Sequence, residues 1–218
     1  MKRIVFFDLD NTLIKGQSQQ FLMKYLFKKR KVSFLFLVKI YILFFLWKIS
    51  LLKDVIPIRK KVYRAFKDWD VNATKALISD FFESELKCLF YPEAMEILRQ
   101  HMKNGDEVVL ISGTINLLAE VIKNHIGIEY YISTVLEEKN GRLTGEVSNL
   151  ILYGENKVKV VKEFLEKHGF SLENSYAYTD HISDLSFLKL VTYPNVVNPD
   201  KLLKRVAAIN SWPILIFN

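Results

Sequence analysis

The stretch Val5-Phe6-Phe7-Asp8-Leu9-Asp10-Asn11-Thr12-Leu13-Ile14 decides how the rest of the chain is read. Arg3 to Phe7 is a short apolar run of strand length, and it ends in two aspartates two positions apart. On a strand, positions 8 and 10 share a face. Carboxylates at the end of a buried strand are costly unless something pairs with them. A divalent cation with a taste for hard oxygen, such as magnesium, is the natural partner. The same spacing lets one carboxylate attack while the other handles a proton. A strand that merely ends in a polar turn explains a lone D-x-D equally well, so the reading depends on the remainder of the chain.

Downstream, apolar strands end in polar groups several more times. Val108 to Ile111 is a continuous apolar run, as in a parallel sheet buried on both faces, and it leads into Ser112-Gly113-Thr114 and then a helix. A hydroxyl and a glycine at such a turn make an anion site, because backbone N–H groups and a helix N-terminus aim at one point. Gly154-Glu155-Asn156-Lys157 opens a further helix. Ser175 to Thr179 is another short strand, ending in Asp180-His181-Ile182-Ser183-Asp184. Tyr130 to Leu136 and Arg142 to Val147 flank Asn140-Gly141 and read as a hairpin. Val191 to Val197 reads as a last strand, with a helix from Asp200 to Ala208.

The segment between the first two of these sites differs in character. Net charge is +7 over 218 residues. From Lys15 to Arg64, however, thirteen Lys and Arg face the single acid Asp54. Helical spacing is clear at Phe21, Leu22, Tyr25 and Leu26, over Arg59 to Phe66, and over Val71 to Phe90, with Pro57 as a break. Val32 to Ile56 is very apolar, but Lys39 and Lys48 split it into pieces too short to span a bilayer, which takes about 20 apolar residues. A single span would also put Asp8 on the opposite side from Asp180. Two packed helices, or a greasy surface with snorkelling lysines, fit this stretch better. The N-terminus does not read as a secretory signal, since Asp8 and Asp10 interrupt its apolar run. The lone Cys88 excludes an internal disulfide, fits a reducing cytosol and reads as a buried small apolar residue.

Taken together, Asp8-Leu9-Asp10-Asn11-Thr12-Leu13, Ser112, Lys157 and Asp180 with Asp184 resemble the four ordered motifs of the haloacid dehalogenase superfamily, in its phosphoserine-phosphatase-like branch. That resemblance implies a doubly wound, Rossmann-like α/β core of parallel strands over residues 1–14 and 90–218. An all-helical cap, residues 15–89, is inserted after the first motif. It implies a magnesium-dependent phosphatase for small phosphorylated substrates. Asp8 is then the nucleophile and Asp10 the acid and base. Thr12, Ser112, Gly113 and Lys157 bind the phosphoryl group or order its loop. Asp8, Asp10 (through its carbonyl) and Asp180 hold Mg2+, with Asp184 behind them. The phosphoserine enzymes carry a glutamate nine residues after the nucleophile, where this chain has Gln17, so phosphoserine itself is in doubt. His181 and Ser183 also depart from the pattern; His181 reads as a tolerated loop residue, with a part in substrate binding as the alternative. Competing readings are a lipid-phosphate phosphatase or phosphotransferase at a membrane surface, and a non-catalytic module that keeps the fold. The basic, aromatic-rich cap motivates a cytosolic protein in peripheral contact with an anionic membrane. Packing of those aromatics inside the cap is the plainer alternative. No nucleic-acid fingerprint accompanies the charge, and nothing fixes the oligomeric state.

Overall fold

The computed structural model describes residues 2–49 and 51–218. Its centre is a six-stranded sheet in the order β3-β2-β1-β6-β7-β8, in which every neighbouring pair is parallel. The strands are β1 (Ile4–Phe7), β2 (Glu107–Ile115), β3 (Tyr130–Thr134), β6 (Tyr176–Thr179), β7 (Tyr193–Val197) and β8 (Ile214–Leu215). β1 lies in the middle and is at most 1 % exposed along its length. Its side chains alternate between two cores. Val5 and Phe7 join the cluster on one face, Ile4 and Phe6 the cluster on the other. That double burial is why four successive apolar residues are tolerated there. Helices α5 (Pro92–Lys103), α6 (Asn116–Ile126), α7 (Glu155–His168) and α9 (Lys201–Ile209), with the short α8 (Leu185–Leu188), complete the α/β layers. The expected doubly wound parallel fold is the one observed.

Residues between β1 and α5 form α1 (Ser18–Lys28), α2 (Phe34–Lys48), α3 (Ile56–Arg64) and α4 (Val71–Phe81). The two chain crossings into this region run side by side: Lys15 N–H donates to Leu89 O at 2.8 Å and Tyr91 N–H to Leu13 O at 2.9 Å. Buried side chains continue without a break from Phe7 through Leu26 and Phe81 to Leu118. A second hold comes from the hairpin of β4 (Leu136–Lys139) and β5 (Arg142–Val147). Val71 N–H donates to Gly141 O at 3.0 Å, Asp68 N–H to Leu143 O at 2.8 Å, and Arg142 Nη1 to Asp68 O at 2.7 Å. The hairpin thus clamps the far end of the inserted helices.

Five local expectations change. The run Tyr130 to Leu136 is not one hairpin arm. It breaks at Val135, the first half pairing with β2 and the second with β5, so its strand character served two sheets. Val71 to Phe90 is not one regular α-helix, since α4 passes into a π turn at Phe82–Leu86 and a 3-10 turn at Lys87–Leu89. Val32 to Ile56 is not two packed helices but a single 15-residue helix followed by a loop. β2 does not end at Ser112; it runs on irregularly to Ile115, and α6 opens only at Asn116, so no helix begins directly behind Ser112. Cys88 is exposed, not buried, because it lies in the 3-10 turn that leaves the inserted region. Among the described residues no helix is long and apolar enough to cross a membrane.

Candidate active site

In a parallel sheet the residues that leave each strand gather at one carboxyl edge, and that edge is where open α/β sheets hold ligands. Here Asp8 comes directly after β1 and Asp180 directly after β6, on adjacent strands. Ser112 and Gly113 lie at the irregular end of β2 on the other side of β1. All four line one cavity of about 1070 Å³, together with Asp10, Lys157 and Asp184.

The turn after β1 is built to present its acids. Leu9 O accepts from the N–H groups of Leu13 and Ile14, and Asn11 takes a left-handed φ of 54°, which Asn tolerates. The Asn11 amide donates to Asp180 Oδ2 at 2.9 Å, while its Oδ1 accepts from Gly16 N–H at 3.1 Å. Asp10 Oδ1 accepts from Ser18 N–H at 2.7 Å, at the positive end of α1. The Asp10 carboxylate is therefore aimed from the core towards the inserted helices.

Lys157, in the first turn of α7, is buried and donates to Asp8 Oδ1 at 3.0 Å and to Asp184 Oδ2 at 2.6 Å. Thr179 Oγ1 donates to the same Asp184 oxygen at 2.5 Å. Burial opposes the charge on Lys157, but Asp184 and Asp8 outweigh it and hold the ammonium protonated. One lysine does not balance these acids. Burial, then the neighbouring Asp184 and Asp10, push Asp8 up to about 7 against the pull of Lys157. Burial and the adjacent Asp8 push Asp180 up to about 8. Asp10 is also raised, chiefly by removal from water. Carboxylates short of positive charge at a strand edge suit a hard cation. Among the described residues no three His, Cys, Asp or Glu side chains cluster as a metal cage. The donor set instead fits an ion held by two carboxylates and a main-chain carbonyl, with water completing the shell, which is how Mg2+ is commonly bound.

Of the residues singled out in the sequence, Thr12 alone is not brought to this cavity. It is fully buried, absent from the wall, and its hydroxyl meets no partner among the described residues. Asp184 meets Lys157 and Thr179, so its observed contacts are with the lysine side of the site. His181 and Gln17 both reach the wall, and His181 Nδ1 pairs with Ser183 Oγ at 2.9 Å.

Residues of the inserted helices enter the site unannounced by any motif. Gln19 Nε2, Arg59 Nη1 and Tyr63 OH all converge on Gly113 O, at 2.9, 3.2 and 3.3 Å. Arg59 also lies over the Tyr153 ring, 5.4 Å from its centroid, and its Nε has no partner among the described residues. In the sequence Arg59 was one basic residue among thirteen. A Cβ on Gly113 would stand 2.7 Å from Arg59 Nη1 and 2.8 Å from Leu152 O, so only glycine fits there.

Comparisons with known proteins bear on the family and the fold. Residues 5–189 match the haloacid dehalogenase-like hydrolase family. Over 215 residues, 98 % of this chain and 75 % of the relative, the sequence is 28 % identical to a probable phosphatase of Mycobacterium tuberculosis. It is 28 % identical to a phosphoserine phosphatase of the same organism, over 96 % of this chain and 69 % of that one. A histidinol-phosphatase of Neisseria meningitidis is 28 % identical over the whole of both chains. A crystal structure of a Bordetella pertussis protein of unknown function superposes with a TM-score of 0.90 over 99 % of each chain, at 22 % identity.

Proposed function

Since this chain belongs to the haloacid dehalogenase-like hydrolases, we propose that it hydrolyses a phosphate monoester in two steps through a phosphoryl group carried on Asp8. The observation that carries this reading is the meeting of Asp8, Asp180, Asp184 and Lys157, from separate parts of the chain, in one cavity.

The Asp8 carboxylate attacks phosphorus and the ester oxygen leaves, taking a proton from Asp10. A water then gives its proton back to Asp10 and attacks the same phosphorus, releasing inorganic phosphate and restoring Asp8. The raised Asp10 suits a group that must hold a proton before the first step. Lys157, the Ser112 hydroxyl and the Gly113 N–H would neutralise and orient the phosphoryl oxygens. Asp8, Asp180 and the Asp10 carbonyl would hold Mg2+, which when bound offsets charge between nucleophile and phosphate. Residues 15–89 act as a cap, with Arg59, Tyr63 and Gln19 tying it to Gly113. The setting we propose is the cytosol.

The test is Asp8→Asn. An amide is a very poor nucleophile, so turnover of a generic phosphate ester should vanish while the far-UV spectrum stays unchanged. Chelation of Mg2+ should abolish turnover reversibly. Full activity after either treatment refutes the scheme.

The substrate is a finer matter. Relatives named for phosphoserine and for histidinol phosphate match this chain at the same identity. Gln17 stands in the cavity wall, where the phosphoserine enzymes are expected to carry a carboxylate. A substrate lacking an ammonium near that position fits best.

A further inference from the structure

α2 has the sequence Phe-Leu-Phe-Leu-Val-Lys-Ile-Tyr-Ile-Leu-Phe-Phe-Leu-Trp-Lys, apolar on every side. A helix of that kind is ordinarily buried all round or in contact with lipid. In this structure only Ile40 is fully buried. Leu35 is 79 % exposed, Phe45 60 %, Ile42 51 % and Ile49 49 %. With Val38, these residues recur at alternating steps of three and four, which is a single stripe along one side of the helix. The stripe is about 22 Å long at 1.5 Å per residue. Phe34 and Leu51 extend it at the two ends, also exposed. A surface of this extent marks a contact rather than scattered exposed side chains.

The charges around it say what the contact is. At about 100° per residue, Lys39 lies to one side of the stripe and Lys48 to the other. The two lysines that divide the apolar run in sequence are its two edges in space. Arg30, Lys31 and Lys53 are exposed beside its ends, and none of these five groups makes an ion pair among the described residues. A second copy of the chain would bring one cationic rim against another. An anionic bilayer supplies both the apolar depth and the countercharge.

The opposite side of the same helix faces the candidate active site. Ile40, Tyr41, Phe44 and Trp47 line the cavity, followed by Leu52 from the next loop, and the rim cations Lys48 and Lys53 reach its wall as well. None of the stripe residues Leu35, Val38, Ile42, Phe45 and Ile49 does. The cavity thus has a charged end at Asp8 and Lys157 and a mainly apolar wall on the back of the exposed helix, with Lys48 and Lys53 where that wall meets the rim. We infer that α2 lies on an anionic bilayer surface, and that the cavity behind it takes from that surface a phosphate monoester bearing an apolar chain. The substrate half rests on the phosphatase reading above; the docking half does not.

The experiment has two readouts. Purified protein is sedimented with vesicles of phosphatidylglycerol and phosphatidylcholine, or of phosphatidylcholine alone. Phosphate release is then measured from phosphatidic acid in the mixed vesicles and from glycerol 3-phosphate, which has the same head without chains. Binding to the anionic vesicles is expected at about 0.1 M salt, and release towards 1 M, as the Debye length shrinks from about 10 Å to about 3 Å. The double variant Ile42→Glu with Phe45→Glu should bind at least about tenfold more weakly at an unchanged melting temperature. Lys31→Glu with Lys39→Glu should weaken binding at low salt and leave it little changed at high salt. Phosphatidic acid should be the better substrate, by kcat/KM, by about tenfold or more. Absence of binding to anionic vesicles at low salt overturns the docking, as does a concentration-dependent dimer that both double variants abolish. Preference for glycerol 3-phosphate overturns the substrate class. Vesicle binding with no turnover of any ester overturns the phosphatase reading instead.

Discussion

Lys157 Nζ lies 2.6 Å from Asp184 Oδ2, and both groups are buried, at 4 % and 7 % side-chain exposure. The lysine's other ion pair is with Asp8, so one ammonium compensates two carboxylates. Removing one partner of a buried pair leaves the other unpaired, at a cost of about 3–5 kcal/mol. Lys157→Met should therefore destabilise the metal-free protein by about that much in urea unfolding, and abolish phosphatase turnover. Part of the stability should return at lower pH, where the orphaned acids take up protons. A variant as stable as the parent at neutral pH would show that the pair carries little.

The raised acids make a prediction about pH. Burial lifts Asp8 to about 7 and Asp180 to about 8, against 3.8 for a free aspartate. Between those values the folded chain holds protons that the unfolded chain has lost. Their contribution to stability is complete below the unfolded value and disappears as pH rises through the folded one. In chelator, the melting temperature should fall between about pH 5 and pH 8. With Mg2+ present the fall should be cancelled or reversed, because the ion requires both carboxylates ionised. A melting temperature in chelator that rises over this window would contradict the charge balance described here.

Gly113→Ala should uncouple the cap from the core. The added methyl meets Leu152 O at 2.8 Å, backbone that has no rotamer to retreat into. Movement there breaks the shared acceptor of Gln19, Arg59 and Tyr63. A loss of about 1–3 kcal/mol, as for overpacked cores, is expected in denaturant titration. KM for any phosphate ester should rise with it. Unchanged KM would mean that the cap is held independently of Gly113.

Gln17→Glu tests the substrate. The side chain is in the cavity wall, and a carboxylate there would meet the ammonium of an amino-acid phosphate. A hydrogen bond to a charged group contributes about 1.5–3 kcal/mol, so kcat/KM for phosphoserine should rise by about tenfold or more. Esters without an amine should not gain. Equal change for both classes would remove position 17 from substrate recognition.

Much of the site was legible in the sequence because its chemistry sits at the ends of β1 and β6 and in the first turn of α7, where local pattern and function coincide. Apolar runs such as Ile4–Phe7 can only be buried strands in a chain of this kind, and the polar residues next in line can only lie at the sheet edge. The contribution of Arg59 and Tyr63 was not legible, since nothing local distinguishes an arginine that reaches a backbone carbonyl far along the chain from one that is solvated. The same blindness misplaced Cys88 and ran β3 into β4, as both depend on which partner strand or helix the fold supplies.

By itself, the sequence determined the succession of β1, β2, β6 and β7 and of the acids behind β1 and β6, because each is set by burial and charge within a few residues. It also determined that Val32 to Ile56 would be unusual. Only the tertiary structure decided which side of that stretch is exposed. A helix apolar on all sides has no preferred face of its own, so its own residues cannot state which side packs inward. Contacts with α1 and α3 and the position of the cavity turn Phe44 and Trp47 inward and leave Ile42 and Phe45 outside. Lys39 and Lys48, which in the sequence merely interrupt a hydrophobic run, become the two borders of an exposed face once that rotation is set.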